Sequence, residues 1–490
     1  MGRSPRILLS IASTALIGWT AAALIQGNTD ISQQNTLNVD VCVIGGGAAG
    51  TYSAIKSKDL NKTVVVVEQQ DRLGGHTTTY VDPVSNTSIE LGVAEYEDTS
   101  IVREWFARFK VPLYQYNITI PGVTSEYMDF HSGQIATPEQ GDLFGAWDAF
   151  QTQVARYPFL DYSLDSVPFL VPADLLLPFG QFITKYNLQD AVPYFSLYGE
   201  AWGNFVTLPT LLAIKYFPPS FFNPATLYSG APGALASKDN SLIYEKATKE
   251  LEPNAPLSST VLSMDRSAAG LVKITVQTPS GKKLICAKKL ISTIAPLIDN
   301  LKGFDLNETE SPIFNKFRGH SWYLGLVNTS GVPDNVTLIN YGINNTNNFN
   351  IPVLPGVYDI FATVVPGLHF FSFGGNDSQP SFTQSQVKTN LQDTLTRLRA
   401  TGSIPGSSEA AKAFNIIDFS SHTPYEVYVS SEQIAKGFYN KLFALQGQRN
   451  TYWTGAAFVT HNSAAIWNYT DQLVTKMWSE GQSTTALSLS

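Results

Sequence analysis

Between Val39 and Gly50 the chain reads VDVCVIGGGAAG, in which Val39, Val41, Cys42, Val43 and Ile44 make a near-continuous apolar run that stops at glycine. Such a run predicts a strand buried on both faces of a parallel sheet. Ala48 to Leu60 predicts a helix, and Val64 to Val67 a second strand ending at Glu68. Strand, glycine turn, helix and strand within about 30 residues read as a βαβ unit. Ser100 to Phe109 places Ile101, Trp105 and Phe109 at i, i+4 and i+8, with Val102 and Phe106 beside them, which predicts an amphipathic helix opened by Thr99 or Ser100.

From Val123 to about Ser229, hydrophobic helical stretches are broken by prolines and are dense in aromatics, from Phe144 and Trp147 to Phe221 and Phe222. Leu242 to Leu251 reads as a helix, and Pro256 to Met264 as a strand. Leu271 to Gln277 and Lys283 to Ala287 alternate around Ser280-Gly281 as a β-hairpin, with a further strand over Leu290 to Pro296. Asn300 to about Ser430 is short and β-rich (SWYLGLV, FATVV, HFFSFGG), with a helix over Gln386 to Arg399. A last strand ends at Tyr452-Trp453-Thr454-Gly455, after which His461, Asn462 and Ser463 can cap a helix over Ala464 to Met477.

The glycines carry the first chemistry. Gly45, Gly47 and Gly50 fit G-x-G-x-x-G: one for the tight turn, one for backbone approach to a pyrophosphate, one for close helix packing. No Lys or Arg sits in this loop, so the helix N-terminus would hold the phosphates. Glu68 stands where a carboxylate accepts the hydroxyls of an adenosine ribose and repels a 2′-phosphate. Downstream, Gly74-Gly75-His76-Thr77 brings more main-chain donors to the same pyrophosphate, which favours FAD over a diffusible NAD.

The segment GGGAAGTYSAIKSKDLNKTVVVVEQQDRLGGHTTTYVDPVSNTSIELGVAEY resembles the flavin-binding start of the amine-oxidase superfamily, and most closely its fungal β-cyclopiazonate dehydrogenase branch. The G-G-H-T, the Y-x-D-P and the G-V-x-x-Y of Gly92 to Tyr96 carry this resemblance, together with YWTGAAFVTHNSAAIWNYTDQLV from Tyr452. It implies an α/β protein: a Rossmann-like FAD-binding domain of the amine-oxidase/GR2 type, interleaved with a helical cap and a mixed-sheet substrate domain. The expected division is a signal peptide at 1–25, FAD-binding parts at 38–100, 236–300 and 431–480, the cap at 101–235 and the mixed sheet at 301–430. It also implies that Val261 offers its backbone to the adenine, that Gly455 contacts the flavin, and that Gly92 lies beneath the cofactor or is a plain turn. The branch is associated with a histidyl-linked flavin. For His76, a hydrogen bond to pyrophosphate or ribityl is the preferred role. His422 and Tyr425, just ahead of the last flavin motif, are the candidates for catalytic contact.

With 490 residues, 43% hydrophobic, the chain can bury a large core. A net charge of −8 without basic clusters argues against a nucleic-acid or anionic-membrane partner. Arg3 and Arg6 precede an apolar run from Ile7 to Ile25, with Ala21-Ala22-Ala23 as a cleavage site. A cleaved signal is favoured over an uncleaved anchor, since Ser10, Ser13, Thr14 and Thr20 weaken the run as a span. Sequons at Asn61, Asn86, Asn117, Asn307, Asn328, Asn335, Asn344, Asn376 and Asn468 fit passage through the secretory pathway. Cys42 and Cys286 read as buried core thiols.

No Ser-His-Asp arrangement, H-E-x-x-H or cysteine cluster supports a hydrolase or a metal site. The expectation is an FAD-dependent oxidoreductase that dehydrogenates or oxidatively cyclises a hydrophobic secondary-metabolite intermediate, an alkaloid or terpenoid, by hydride transfer to flavin N5. An amine or polyamine oxidase is the alternative, with Asp148, Asp161, Asp165 and Asp174 of the cap available to a polycation. A non-catalytic flavin-stabilised binding protein is the rival of another class. Oligomeric state is not legible.

Overall fold

The computed structural model describes residues 35–117, 119–218, 221, 233–329, 331–376, 379 and 381–479. The expected signal segment and the polar tail after 479 lie outside them. In chain order the N-terminal half comprises β1 (Thr36–Ile44), α1 (Ala48–Asp59), β2 (Val64–Val67), α2 (Ser100–Arg108) and β3 (Thr124–Met128), then α3 (Leu143–Val154), α4 (Phe179–Tyr186), α5 (Val192–Gly199) and α6 (Thr210–Tyr216). There follow α7 (Leu242–Leu251), β4 (Thr260–Asp265), β5 (Val272–Thr278) and β6 (Gly281–Ser292). The C-terminal part holds β7 (Trp322–Asn328), β8 (Val336–Asn340), β9 (Gly356–Ala362), β10 (Leu368–Gly374), α8 (Gln384–Ala400), β11 (Asn415–His422), β12 (Thr451–Trp453) and α9 (Ser463–Ser479).

The first sheet runs β2-β1-β6-β5-β4, with β12 paired to the end of β6. β1 is parallel to both β2 and β6, and the four valines of β2 are buried, as a doubly covered strand requires. The hairpin around Ser280-Gly281 forms, but its second arm does not stop at Ala287. It continues as one strand to Ser292, so the two strands expected over Lys283 to Pro296 are one. Its first half pairs antiparallel with β5, and its last three residues pair parallel with Thr451–Trp453. Lys288 and Lys289 break the apolar pattern without breaking the backbone, because both amines reach partners: Asp40 for one, the Met477 carbonyl for the other.

The second sheet is ordered β11-β7-β10-β9-β8-β3. β3 departs from the helical reading of 123–229: TSEYM pairs parallel with Val336–Asn340 at the sheet edge. Its Tyr, its Thr and the exposure of Thr124 to Glu126 suit a sheet edge better than a cap. Beyond it the helices α3 to α6 form an aromatic cap in which Trp147, Phe150, Phe179, Phe195 and Phe217 pack in edge-to-face and tilted pairs. This cap and the α1, α2 and α9 layer share one core, while the second sheet and α8 have their own. Cys42 is fully buried and Cys286 half-buried, and both are free thiols, so the expectation of two core thiols holds for one.

Candidate functional site

One cavity of about 930 Å³ runs from the end of β2 to the meeting of cap and second sheet. At one end it is a backbone cradle. Gly45 has φ +97, and an added Cβ would stand 2.5 Å from Thr293 Oγ1. A Cβ on Gly50 would stand 1.8 Å from the Gly45 carbonyl oxygen, so α1 packs on its own turn with no room for a methyl. Gly47 and Gly75 face each other across the cavity mouth, the Cβ position of Gly75 lying 2.9 Å from Gly47 Cα. Gly74 and Gly75 both take positive φ, and Gly74 N–H bonds the Gly46 carbonyl at 2.9 Å, which ties the two loops together. Nothing caps α1 with a side chain, and its first turn holds no acid. An uncapped helix end between two bare glycine loops suits a pyrophosphate.

Glu68 is buried beside it. Its Oε2 accepts from Gly46 N–H at 2.5 Å and its Oε1 from Gln70 N–H at 2.7 Å, leaving one lone pair on each oxygen for a ribose. Val261 lines the same end with Ser259 and Thr260. Arg72 supports the cradle from behind, bonding the Thr77 carbonyl at 2.8 Å and Thr78 Oγ1 at 2.7 Å. Gly455, φ +101, sits against the Thr293 carbonyl where β12 meets β6, and His461, Asn462 and Ser463 lead into α9 on the cavity wall. Asn462 Oδ1 accepts Ala465 N–H at 3.1 Å, the expected cap. Gly92 is tight for a reason other than the cofactor: its Cβ would fall 1.8 Å from the His76 carbonyl oxygen.

The structure brings His76, Tyr425 and His461 together on the wall: Tyr425 stacks on His461 at 4.1 Å and on His76 at 5.3 Å. Burial, then the neighbouring His422, His461 and Arg72, hold His76 well below the usual histidine range, so it is neutral. His422 is placed behind this wall, its ring nitrogen donating to the Leu91 carbonyl at 2.8 Å, and burial lowers it to about 4. Glu426 lies beneath His461, 2.8 Å from its Nε2 and 3.9 Å from Lys215 Nζ. Burial acts to raise this carboxyl, but Lys215, His461 and His320 outweigh it and hold it below the ordinary range.

The far end is aromatic and aliphatic, with Tyr116, Leu197, Tyr216, Trp322 and Phe370 among its walls. Four carboxyls that sequence reasoning passed over reach it: Glu90, Glu95, Glu97 and Glu200. Burial raises Glu90 to about 8 and both Glu95 and Glu97 to about 7. Ser372 Oγ lies 3.0 Å from Glu200 and 2.7 Å from Asp359, and burial holds both of those carboxyls high. Glu90, Glu95 and Glu97 lie in or beside the G-V-x-x-Y stretch, so a signal was at hand; Glu200 had none. The cap aspartates Asp148, Asp161, Asp165 and Asp174 are not among the lining residues. Asp174 is spent on Lys185 and Arg156.

Residues 40–135 match the family model described as FAD dependent oxidoreductase. The chain is 35% identical to FAD-dependent oxidoreductase pigF of Monascus ruber over 96% of this chain and 98% of that one. It is 33% identical to beta-cyclopiazonate dehydrogenase of Aspergillus flavus over 94% and 98%. Among solved structures, the CLA-producing fatty acid isomerase from P. acnes superposes with a TM-score of 0.68 at 20% identity, covering 89% of this chain and 98% of that one. Putrescine oxidase bound to putrescine gives 0.60 at 12%, covering 91% and 100%. A Rossmann-like nucleotide fold with a cradle of bare backbone defines a flavoprotein of the amine-oxidase fold. The chain belongs to the FAD-dependent oxidoreductases that include pigF and beta-cyclopiazonate dehydrogenase, and its cofactor is FAD.

Proposed function

We propose that this enzyme dehydrogenates, or oxidatively cyclises, a hydrophobic secondary-metabolite intermediate of alkaloid or terpenoid type. One observation carries the reading: the dinucleotide cradle opens without a break into a chamber walled by the aromatic cap and the second sheet. Bound there, FAD supplies a two-electron acceptor for a substrate C–H bond. Gly45, Gly47, Gly50, Glu68, Gly74, Gly75, Val261 and Gly455 would hold it, with His76 as a hydrogen-bond donor to pyrophosphate or ribityl. The N-terminus of α9, with His461 and Asn462, would favour negative charge at the flavin ring. Tyr425 flanks the site, and His422 braces the wall through Leu91.

Aromatic rings on the chamber wall would keep water from an oxidised intermediate while an internal nucleophile traps it. The amine or polyamine oxidase reading is weaker. Its cap aspartates are not among the cavity's lining residues, and burial raises the lining Glu90 to about 8 and Glu95 and Glu97 to about 7, which favours their neutral forms over a cation-binding carboxylate cluster. Purified holoenzyme, bleached anaerobically by the compound that accumulates when the gene is deleted in its source organism, would establish the reaction; that compound should be two hydrogens heavier than the lost product. No bleaching by this compound, with peroxide released from spermidine or aryl amines instead, would replace the reading. A yellow protein that nothing bleaches would be a binding protein. Passage through the secretory pathway is part of the proposal. Seven of the nine sequon asparagines are exposed; Asn307 and Asn376 are half-buried.

A further inference from the structure

We propose that Glu95 is the proton acceptor of this site, its unpaired carboxyl oxygen taking the proton that the substrate gives up on oxidation. The inference rests on the oxidoreductase reading above and adds a residue to it.

Glu95 differs from the other cavity carboxyls in what its oxygens do. Glu90 accepts from Asn240 N–H at 2.9 Å and from Thr79 O–H at 2.7 Å. Glu97 accepts from Tyr162, and Glu200 from Ser372. Glu95 Oε1 accepts from Tyr198 O–H at 3.1 Å, while its Oε2 is buried with no hydrogen-bond partner among the described residues. A buried orphan acceptor calls for an explanation, such as a ligand that completes it.

The segment that carries Glu95 is fixed rather than loose. Asn240, itself fully buried, donates through Nδ2 to the carbonyls of Val93 at 2.9 Å and Ala94 at 3.2 Å. Tyr96 and Glu97 pair antiparallel with Ala234 and Leu235, and Gly92 is packed on the His76 carbonyl. Tyr198, from α5 of the cap, then orients the carboxyl. A group held from both sides of the chain and at one oxygen meets its substrate in a set geometry.

The ionisable groups around it are Tyr116, Tyr198, Tyr216 and Glu97, none of them a cation. Burial and the negative charge of Glu97 therefore keep it near 7, where a base both takes and returns a proton under neutral conditions. In the step, a substrate O–H or N–H bond breaks with its electron pair left on the substrate, and a Glu95 Oε2–H bond forms. The second hydrogen leaves the adjacent carbon with its electron pair for the FAD oxidant that the family's activity supplies.

The test uses the holoenzyme and its Glu95→Gln, Glu95→Asp and Tyr198→Phe variants. Flavin absorbance and circular dichroism report FAD content and fold, and the reductant is a solvent extract of a culture lacking the gene. Glu95→Gln should stay yellow yet bleach about 100-fold or more slowly, with Glu95→Asp between it and wild type. The wild-type rate should rise with pH through about 7, and Tyr198→Phe should move that midpoint upward because a hydrogen bond that favours the carboxylate is gone. In the wild-type-minus-Gln infrared difference spectrum, a carboxylic-acid C=O band should be present below pH 7 and absent above it. Bleaching of Glu95→Gln within about threefold of wild type, an unmoved midpoint in Tyr198→Phe, or no such band would each overturn the assignment. If the extract fails to bleach yellow wild-type enzyme, the proposed oxidation of a secondary-metabolite intermediate falls and the assignment with it.

Discussion

Two glycines three residues apart separate the cofactor cradle from the fold. At Gly47 an added Cβ meets only Gly75 Cα, at 3.7 Å, and φ is −73, so alanine is accommodated without strain. Gly47→Ala should therefore leave the stability of the apoprotein within about 1 kcal/mol of wild type. The methyl nonetheless projects into the gap between the two glycine loops, where main-chain N–H groups must touch the pyrophosphate. Displacing one or two charge-assisted hydrogen bonds, at about 1.5–3 kcal/mol each, should weaken FAD by about 1.5–6 kcal/mol, or roughly 10- to 20,000-fold in Kd. At Gly50 the methyl would lie 1.8 Å from the Gly45 carbonyl oxygen, so α1 must move off β1. Gly50→Ala should lose about 3 kcal/mol, the upper end for an overpacked site, in apoprotein and holoprotein alike. Thermal unfolding of the apoproteins and quenching of flavin fluorescence give the two quantities separately. Gly47→Ala that binds FAD as wild type does would refute the placement of the pyrophosphate against α1.

Arg266→Met should cost about 3 kcal/mol, because it strips two hydrogen bonds of 2.7 and 2.9 Å from the buried Glu310 and leaves that charge to Arg449 at 3.0 Å and the Asn307 N–H at 3.2 Å. The cluster is outside the cavity, so urea titration should register the loss while the flavin spectrum of the surviving holoenzyme is unchanged. Apoprotein stability should fall as pH rises from about 6.5 to 8; below that window His76 and His422, lowered in the folded state from 6.5, gain stability with rising pH and oppose the trend. Glu90, Glu95 and Glu97 have folded values of about 8, 7 and 7, above the 4.5 of an unfolded glutamate. In that window the native state binds more protons than the unfolded one, so each group's contribution is present at the acid end and lost through its folded value; a Tm that climbs over this range would contradict it. For protein made in a secretory host, glycopeptide mapping should find sugar at exposed sequons such as Asn86, Asn335 and Asn344. Asn307 and Asn376 should be bare, since their side chains are half-buried and already hydrogen-bonded to Glu310 N–H and to the Leu354 carbonyl.

What could be read along the chain was whatever depends on neighbours in sequence. The glycine spacing of Gly45 to Gly50, the apolar run of β2 ending at Glu68, the helix of Leu242 to Leu251 and the Asn462 cap are local demands of backbone geometry and burial, and each appears within a residue or two of its expected place. The comparison with relatives agrees that this pattern holds FAD. Distant partners decided the rest. Thr124–Met128 is a strand because Val336–Asn340 lies beside it, more than 200 residues on, and Lys288 and Lys289 stay in a strand because Asp40 and Met477 receive their amines. His422 faces Leu91 instead of the cavity for the same reason. The chemistry of the chamber belongs wholly to this second kind: Glu95 in a loop, Tyr198 in the cap and Asn240 ahead of α7 meet only when three distant segments fold together. No periodicity in the chain encodes that meeting, because burial of a carboxyl and the partner left to each of its oxygens are properties of the packed molecule.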